Sequence, residues 1–228
     1  MAEHTTISLD RRLTAEYLGS LLLALIVVGS GIAAQQLSPT DIGLELLENA
    51  LVTGVGLYFL ITLFGPISGA HFNPVVTLVD TLFNGRKLTD LLFYALVQVA
   101  GCISGTLLAN FLFSGPLISW SHHHRVSGPH FVSEVVATLG LLLVIFGLSR
   151  NGSTKVIPVS VAAYITGAYF FTSSTSFANP AITIGRMFTN SFAGIAPSSA
   201  PGFILAQLVG VGLAVALIQY LFVTTSNQ

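Results

Sequence analysis

The chain has 228 residues, of which 53% are hydrophobic and only 7% are charged, whereas a soluble domain normally carries about 25% charged residues. So few charged groups cannot cover a water-facing surface, and lipid is therefore predicted to be the main solvent of the chain. The net charge of −1 argues against a nucleic-acid partner, and the single cysteine, Cys102, excludes an intramolecular disulfide and a cysteine-based metal cluster.

Six apolar runs are long enough to cross a membrane, which requires about 20 mostly apolar residues. In chain order they are Leu13–Ala34, Leu44–Phe64, Leu91–Phe113, Phe131–Ser149, Val156–Thr172 and Pro201–Val223. Two further apolar runs, Asn73–Phe83 and Asn179–Thr189, are too short to span, and each follows a segment rich in Gly or Ser. The pattern predicts an all-α membrane protein with six transmembrane helices and two re-entrant half-helices.

The positive charges predict the orientation of these spans. Six of the eight Lys and Arg residues fall in segments on one side, namely Arg11, Arg12, Arg86, Lys87, Arg150 and Lys155. Because cytoplasmic loops are enriched in Lys and Arg, both termini are predicted to be cytoplasmic. The loop that contains His122, His123 and His124 is then external, and these histidines are either a metal site or simply solvated.

The two halves of the chain resemble each other. Three elements recur in the same order, pairing Glu16 with Glu134, Gln98 with Gln207, and Asn73 with Asn179. Each half holds three spans, so the second copy is inserted upside down, with repeats at about 11–113 and 131–223 within a single channel domain, 1–228. Inverted repeats of this kind place a solute site at the membrane midplane, between broken helices.

Each short apolar run begins with Asn-Pro, at Asn73-Pro74 and Asn179-Pro180. Asn is a favoured helix N-cap and Pro is favoured at the first helical position, so each pair starts a helix well. Two half-helices that start at the midplane direct their positive ends at one point, which would repel cations there.

At these motifs the chain resembles the aquaporin, or major intrinsic protein, family over about residues 11–223. The matching segments are Ser68–Thr77 (SGAHFNPVVT) and Ser176–Thr183 (SFANPAIT). The resemblance implies an aquaporin-like fold, a homotetramer in the cell (inner) membrane with one pore per subunit, and passive flow without a cofactor or a metal. It also implies that Glu16 and Glu134 brace the two loops by accepting backbone hydrogen bonds.

The motifs depart from the family pattern at two positions. The first reads Asn-Pro-Val, with Val75 where Ala is usual and where the second motif has Ala181; this is either a packing variation or a functional one. The larger departure is Ile182, three residues after Asn179, where most members carry Arg.

The family's outer constriction has four contributors. Matched by spacing without gaps, they fall on Thr53, Gly167, Ser176 and Ile182. This set has no large aromatic residue, His or Arg, so a wide, uncharged constriction is predicted. The expected solutes are neutral polyols, urea, or metalloid acids and methylated arsenicals, together with water. The motif with Ile182 in place of Arg also resembles that of a bacterial branch of the family associated with arsenic-resistance operons.

Three further residues are candidates for the pore mouths. Arg186 and Asp80 each lie seven residues after an Asn of the motifs. Arg186 is either a cation moved one turn outward, about 5.4 Å, or a helix-end Arg that bonds carbonyls or water. Asp80 either caps the cytoplasmic mouth or pairs with Arg86. His71 matches a common family residue at the cytoplasmic side and either gates by titration or only lines the pore.

Other functions compete with this interpretation. The chain could be an ordinary water-selective aquaporin, or a secondary transporter, since transporters also use inverted repeats and broken helices. An intramembrane enzyme would need a nucleophile with its base, or metal ligands, within the spans. The only clustered histidines are in a loop, so no enzyme activity is predicted.

Overall fold

The computed structural model describes residues 7–222 as a bundle of α-helices, without a strand in that range. In chain order the helices are α1 (Leu9–Leu37), α2 (Ile42–Ser68), α3 (Pro74–Asn84), α4 (Leu88–Leu112), α5 (Gly128–Arg150), α6 (Ile157–Phe171), α7 (Pro180–Gly185) and α8 (Ala200–Leu221). Helices α1, α2, α4, α5 and α8 are long and apolar enough to cross a membrane, and so is α6 together with the 3-10 turn Thr154–Val156 that precedes it. The six predicted spans and the all-α class are therefore confirmed, although Val223, the predicted end of the sixth span, lies outside the described residues.

Helix α1 begins earlier than its apolar run because its first turn is held by charged groups. Arg12 Nη2 lies 3.2 Å from Asp90 Oδ2, which joins the starts of α1 and α4. At the ends of α5 and α8, Arg150 Nη1 donates to the carbonyl oxygen of Phe222 at 2.9 Å. We call the side of the bundle where these helix ends meet the basic side, and the other side the opposite side.

The half-helix α3 is bounded by residues that suit a break in the membrane. Helix α2 ends at Gly69, whose φ of 94° is a left-handed conformation that glycine adopts without strain. Asn73 then caps α3 by accepting a hydrogen bond from the Val75 N–H, and Gly85, with a φ of 67°, ends α3. The chain thus enters from the basic side and returns to it.

The second half-helix changes its helix type along its length. α7 has six residues and continues as one turn of 3-10 helix over Arg186–Phe188. Gly185 stands at this change, where an added Cβ would lie 2.8 Å from the Cys102 carbonyl oxygen of α4. The close approach to α4 fixes the half-helix at that point.

The two halves pack alike. Helix α1 packs on α4, and α5 packs on α8. A Cβ added at Gly101 of α4 would lie 2.5 Å from the Tyr17 carbonyl oxygen, and one added at Gly210 of α8 would lie 2.9 Å from that of Val135. Small residues let helix backbones approach closely in membranes, so matched glycines set both crossings.

The outer faces of the bundle carry exposed apolar side chains, for example Leu18, Val55, Leu92, Phe111 and Leu213. Such faces suit hydrocarbon rather than water. The polar side chains that matter for function are instead buried between the helices, where the two half-helices meet.

Candidate functional site

Asn73 and Asn179 hold the two half-helices together at the centre of the bundle. Asn73 Nδ2 donates to the Ala178 carbonyl oxygen, and Asn179 Nδ2 donates to that of Phe72, each at 2.8 Å. Each side-chain oxygen meanwhile caps its own half-helix. Each amide therefore has one further N–H, and both residues line the central cavity described below. The half-helices present their N-termini, the positive ends of their dipoles, at the same place.

The loops that precede the two asparagines have an unusual backbone. Ala70, Phe72, Ser176 and Ala178 have φ values between 47° and 51°, a left-handed region that costs side-chain-bearing residues of order 1–3 kcal/mol each. Such a backbone persists only where its surroundings hold it in place. Two buried glutamates do so.

Glu16 and Glu134 accept the backbone N–H groups of these loops. Glu16 Oε1 accepts from the His71 N–H at 3.0 Å and Oε2 from the Phe72 N–H at 2.7 Å. Glu134 accepts from the N–H groups of Phe177 and Ala178, both at 2.9 Å. Both carboxylates are fully buried, so these hydrogen bonds are their compensation for lost water.

Each glutamate is part of a longer chain of hydrogen bonds that the sequence alone did not assign. Gln98 Nε2 donates to Glu16 and to Thr77 Oγ1, at 2.8 and 3.0 Å. Gln207 Nε2 donates to Glu134 and to Thr183 Oγ1, at 2.7 and 3.0 Å. Both threonines in turn donate to the carbonyl oxygen of their own capping Asn. The recurrence of Gln98 at Gln207 was the signal, but only the structure gives its role.

A cavity of about 70 Å³ runs past the two asparagines. A single water needs roughly 10–15 Å³, so the cavity has room for a short file of small molecules. Most of its wall is apolar, with Leu23, Val76, Leu141 and Ile165 among its lining residues. Few polar groups interrupt this wall, so a passing solute meets hydrogen-bond partners at a few fixed positions.

Three of the four predicted constriction residues line the cavity, namely Thr53, Ser176 and Ile182. Gly167 does not. It is exposed, and a Cβ added to it would meet only Phe171. Tyr169, two residues on, lines the cavity instead, with its hydroxyl 3.3 Å from Thr53 Oγ1. Because each helical residue turns by 100°, a two-residue error in matching moves a side chain to the far face of α6.

Arg186 is placed at the opposite-side end of the same cavity. It is 2% exposed and lines the cavity together with Phe177 and Ile182. Its Nε donates to the Ala193 carbonyl oxygen, and its guanidinium carbon lies 3.5 Å from the centroid of the Phe177 ring.

His71 and Asp80 lie at the basic-side end. His71 lines both the cavity and a second void of about 200 Å³, which Asp80 also lines. His71 Nε2 is 3.8 Å from Asp80 Oδ2, and Arg86 Nε donates to that oxygen at 2.8 Å. Asp80 thus pairs with Arg86 while it lines the second void. The two voids share Ile61 and Val161 among their lining residues, so they adjoin each other between the basic side and Arg186.

The other motif residues pack rather than line the path. Val75 is 1% exposed within an apolar cluster that includes Leu142 and Phe146. Pro74 and Pro180 occupy the first helical position of their half-helices, and Ala181 lies in the main core. The burial of Val75 in this cluster fits a packing variation at that position rather than a functional one.

The His loop is tied down through its backbone. The His122 N–H donates to Asn190 Oδ1, and the His123 carbonyl accepts from the Ala196 N–H, both at 2.9 Å. No group of three His, Cys, Asp or Glu residues suited to a metal occurs between residues 7 and 222. Cys102 is fully buried against the Ser20 carbonyl, as a core residue.

Comparison with known proteins adds a family to this geometry. A model of the major intrinsic protein family matches residues 3–177. The aquaglyceroporin AqpS of Rhizobium meliloti is 46% identical over 213 residues, covering 93% of this chain and 91% of that protein. A glycerol uptake facilitator protein of Pseudomonas aeruginosa is 32% identical over 172 residues, covering 65% of this chain and 60% of that one. The crystal structure of the aquaglyceroporin from Plasmodium falciparum has the same fold, with a TM-score of 0.69 at 21% identity, over 96% of this chain and 98% of the other.

Proposed function

Since the chain belongs to the major intrinsic protein family, we propose that it is a passive channel for neutral solutes wider than water, acting through a filter that lacks the family's usual Arg. At the coarser level it is a multi-pass membrane channel for small neutral solutes and not an enzyme. The proposed solutes are polyols such as glycerol, urea, and metalloid acids or methylated arsenicals, which pass together with water.

The observation that carries the proposal is Ile182. Its side chain lines the cavity at the turn where most members place a guanidinium. An Arg there would narrow the path and grip polar solutes with its forked donors. Ile182 offers neither a charge nor a donor, and the hydroxyls of Thr53 and Tyr169 nearby already bond each other. The lack of a guanidinium at position 182 favours a wider opening for solutes that carry several hydroxyl groups, whereas Tyr169 brings into the cavity a large aromatic ring that the sequence had not predicted.

The membrane setting follows from charge and surface. We place the basic side in the cytoplasm, with both termini there, because six of the eight Lys and Arg residues lie on that side. The bacterial relative supports the inner membrane. The exposed apolar faces suit both lipid and a homotetramer with one pore in each subunit.

Vesicles reconstituted with the purified chain test this function. Glycerol and a methylated arsenical are expected to enter faster than into empty vesicles, at a rate that rises linearly with the gradient and is unchanged by ionophores. The physical reason is that an open path has no ion-coupled step. Light scattering follows the shrinking and swelling of the vesicles, from which the permeabilities to water and to each solute are obtained.

Two outcomes would contradict the proposal. Water flow without glycerol or arsenical flow would favour an ordinary water-selective channel. Solute uptake that saturates at low concentration and collapses with ionophores would favour a secondary transporter.

A further inference from the structure

Arg186 is a buried cation within the membrane domain. It is 2% exposed, and it lies at the opposite-side end of the cavity, four residues after Ile182. Charged residues at such depth are costly, and they are normally paired or functional. How its charge is compensated therefore decides what it does.

Among residues 7–222, no carboxylate lies within ion-pair distance of Arg186. The ion pairs found among residues 7–222 are Arg12–Asp90, His71–Asp80 and Arg86–Asp80, and all lie on the basic side. The guanidinium is held instead by the Ala193 carbonyl at Nε and by the face of the Phe177 ring. A ring face attracts a cation but does not neutralise it. The buried Glu134 and the neighbouring Arg125 also act on Arg186, with opposite charges, so a net positive charge remains at this end of the cavity.

The two terminal nitrogens of Arg186 are left available. Across residues 7–222 neither Nη atom makes a hydrogen bond, and neither belongs to the buried polar atoms that lack a partner. Both atoms therefore keep some accessible surface, and Arg186 is one of the residues that line the cavity.

We propose that Arg186 is a specificity-determining residue, a filter cation displaced one helical turn outward from the position that Ile182 occupies. Its Nη atoms donate to acceptor oxygens of neutral solutes, and its charge rejects cations at the opposite-side mouth. An Arg at position 182 would both narrow the pore and exclude cations. With the Arg displaced to position 186, the pore stays wide at Ile182 while a positive charge at the mouth still excludes cations. This inference rests on the proposed function for the nature of the solutes.

Arg125 supplies a comparison within the same chain. Its guanidinium carbon lies 5.4 Å from the Phe177 ring, but Nε donates to the Gly194 carbonyl and Nη2 to that of Phe192. Arg125 does not line the cavity. It anchors the same loop without reaching the path, which makes it the matched control for a purely structural role of Arg186.

The test compares two solutes of one shape, urea and the guanidinium ion, which differ in charge. Tracer exchange across vesicles at equal concentrations on both sides avoids a net current. Wild-type vesicles are expected to exchange urea and to exclude guanidinium. In Arg186→Gln, which keeps an amide donor but loses the charge, the guanidinium-to-urea ratio should rise by at least about tenfold, because a unit charge a few ångströms from the path is removed. Arg186→Lys should keep the wild-type ratio, and Arg125→Gln, which removes a charge that does not line the cavity, should change it by much less than Arg186→Gln.

An unchanged ratio in Arg186→Gln, or a rise of equal size in Arg125→Gln, would overturn the inference. So would wild-type vesicles that exchange guanidinium as fast as urea. If wild-type vesicles pass no urea, the proposed function fails. The effect of the Arg186 charge can then still be measured, as the ratio of guanidinium exchange to water flow in wild type and in Arg186→Gln. If Arg186→Gln does not fold, the exchange variant Ile182→Arg/Arg186→Ile takes its place: it should pass water but neither urea nor guanidinium, and urea passage at the wild-type rate would contradict the inference.

Discussion

The variant Ile182→Arg is expected to lose glycerol permeability by at least about tenfold, equivalent to about 1.4 kcal/mol of barrier, while water permeability stays within about threefold of wild type. The Ile182 side chain lines a cavity of about 70 Å³. A guanidinium placed there occupies the path and offers donors that hold a solute oxygen. Arg186 lies one turn away on the same face, so the new cation is pushed inward, toward the asparagines. Stopped-flow light scattering on the same vesicle preparation measures both permeabilities.

The control for this prediction is Ile182→Leu, which keeps the volume and the apolar character of the side chain. Its two permeabilities should match those of wild type. Equal glycerol flow through Ile182→Arg and Ile182→Leu would show that this position does not set the width of the path.

The variant Glu134→Gln is expected to lower water and glycerol permeability together and to destabilise the protein. Glu134 Oε1 accepts from the Phe177 N–H, and Oε2 accepts from the Ala178 N–H and from Gln207. Gln has one acceptor oxygen in place of two, so at least one buried backbone donor faces another donor. An unsatisfied buried donor costs roughly 1–3 kcal/mol, and the left-handed backbone that Glu134 holds is then free to relax. Thermal unfolding in detergent and vesicle flux together measure the effect.

Glu48→Gln is the matched control. Glu48 accepts a single side-chain hydrogen bond, from Ser38 Oγ at 3.0 Å, which an amide oxygen can also accept. Its stability and flux should stay near wild type. Wild-type stability and permeability of Glu134→Gln would contradict the bracing role. A loss of glycerol permeability alone, with water permeability unchanged, would assign Glu134 to the filter instead.

The sequence predicted most of the architecture because strong, repeated constraints act on it. A membrane requires long apolar helices, and the two Asn-Pro pairs favour helix starts, so the spans and half-helices are found within a few residues of their predicted bounds. The pairing of Glu16 with Glu134 was visible because both positions recur within the two halves. The structure places each of them against the backbone of its own loop.

The sequence could not predict which face of a helix a given residue occupies, nor the backbone conformation where a helix changes type. Gly167 was assigned by counting along α6 without gaps, and an error of two residues was enough to put it on the outer face, with Tyr169 in the cavity. The direction of Arg186 depends on the change from α-helix to 3-10 helix after Gly185. No residue pattern signalled that change, which occurs where Gly185 packs closely against Cys102 of α4.

The central claim is that the pore at Asn73 and Asn179 admits solutes wider than water. Permeabilities of wild-type vesicles to water, urea, glycerol and a four-carbon polyol, measured in one preparation and corrected for empty vesicles, test it most directly. We expect protein-dependent flow of water, urea and glycerol, with a decline only at the larger polyol. Protein-dependent flow of water alone would contradict it.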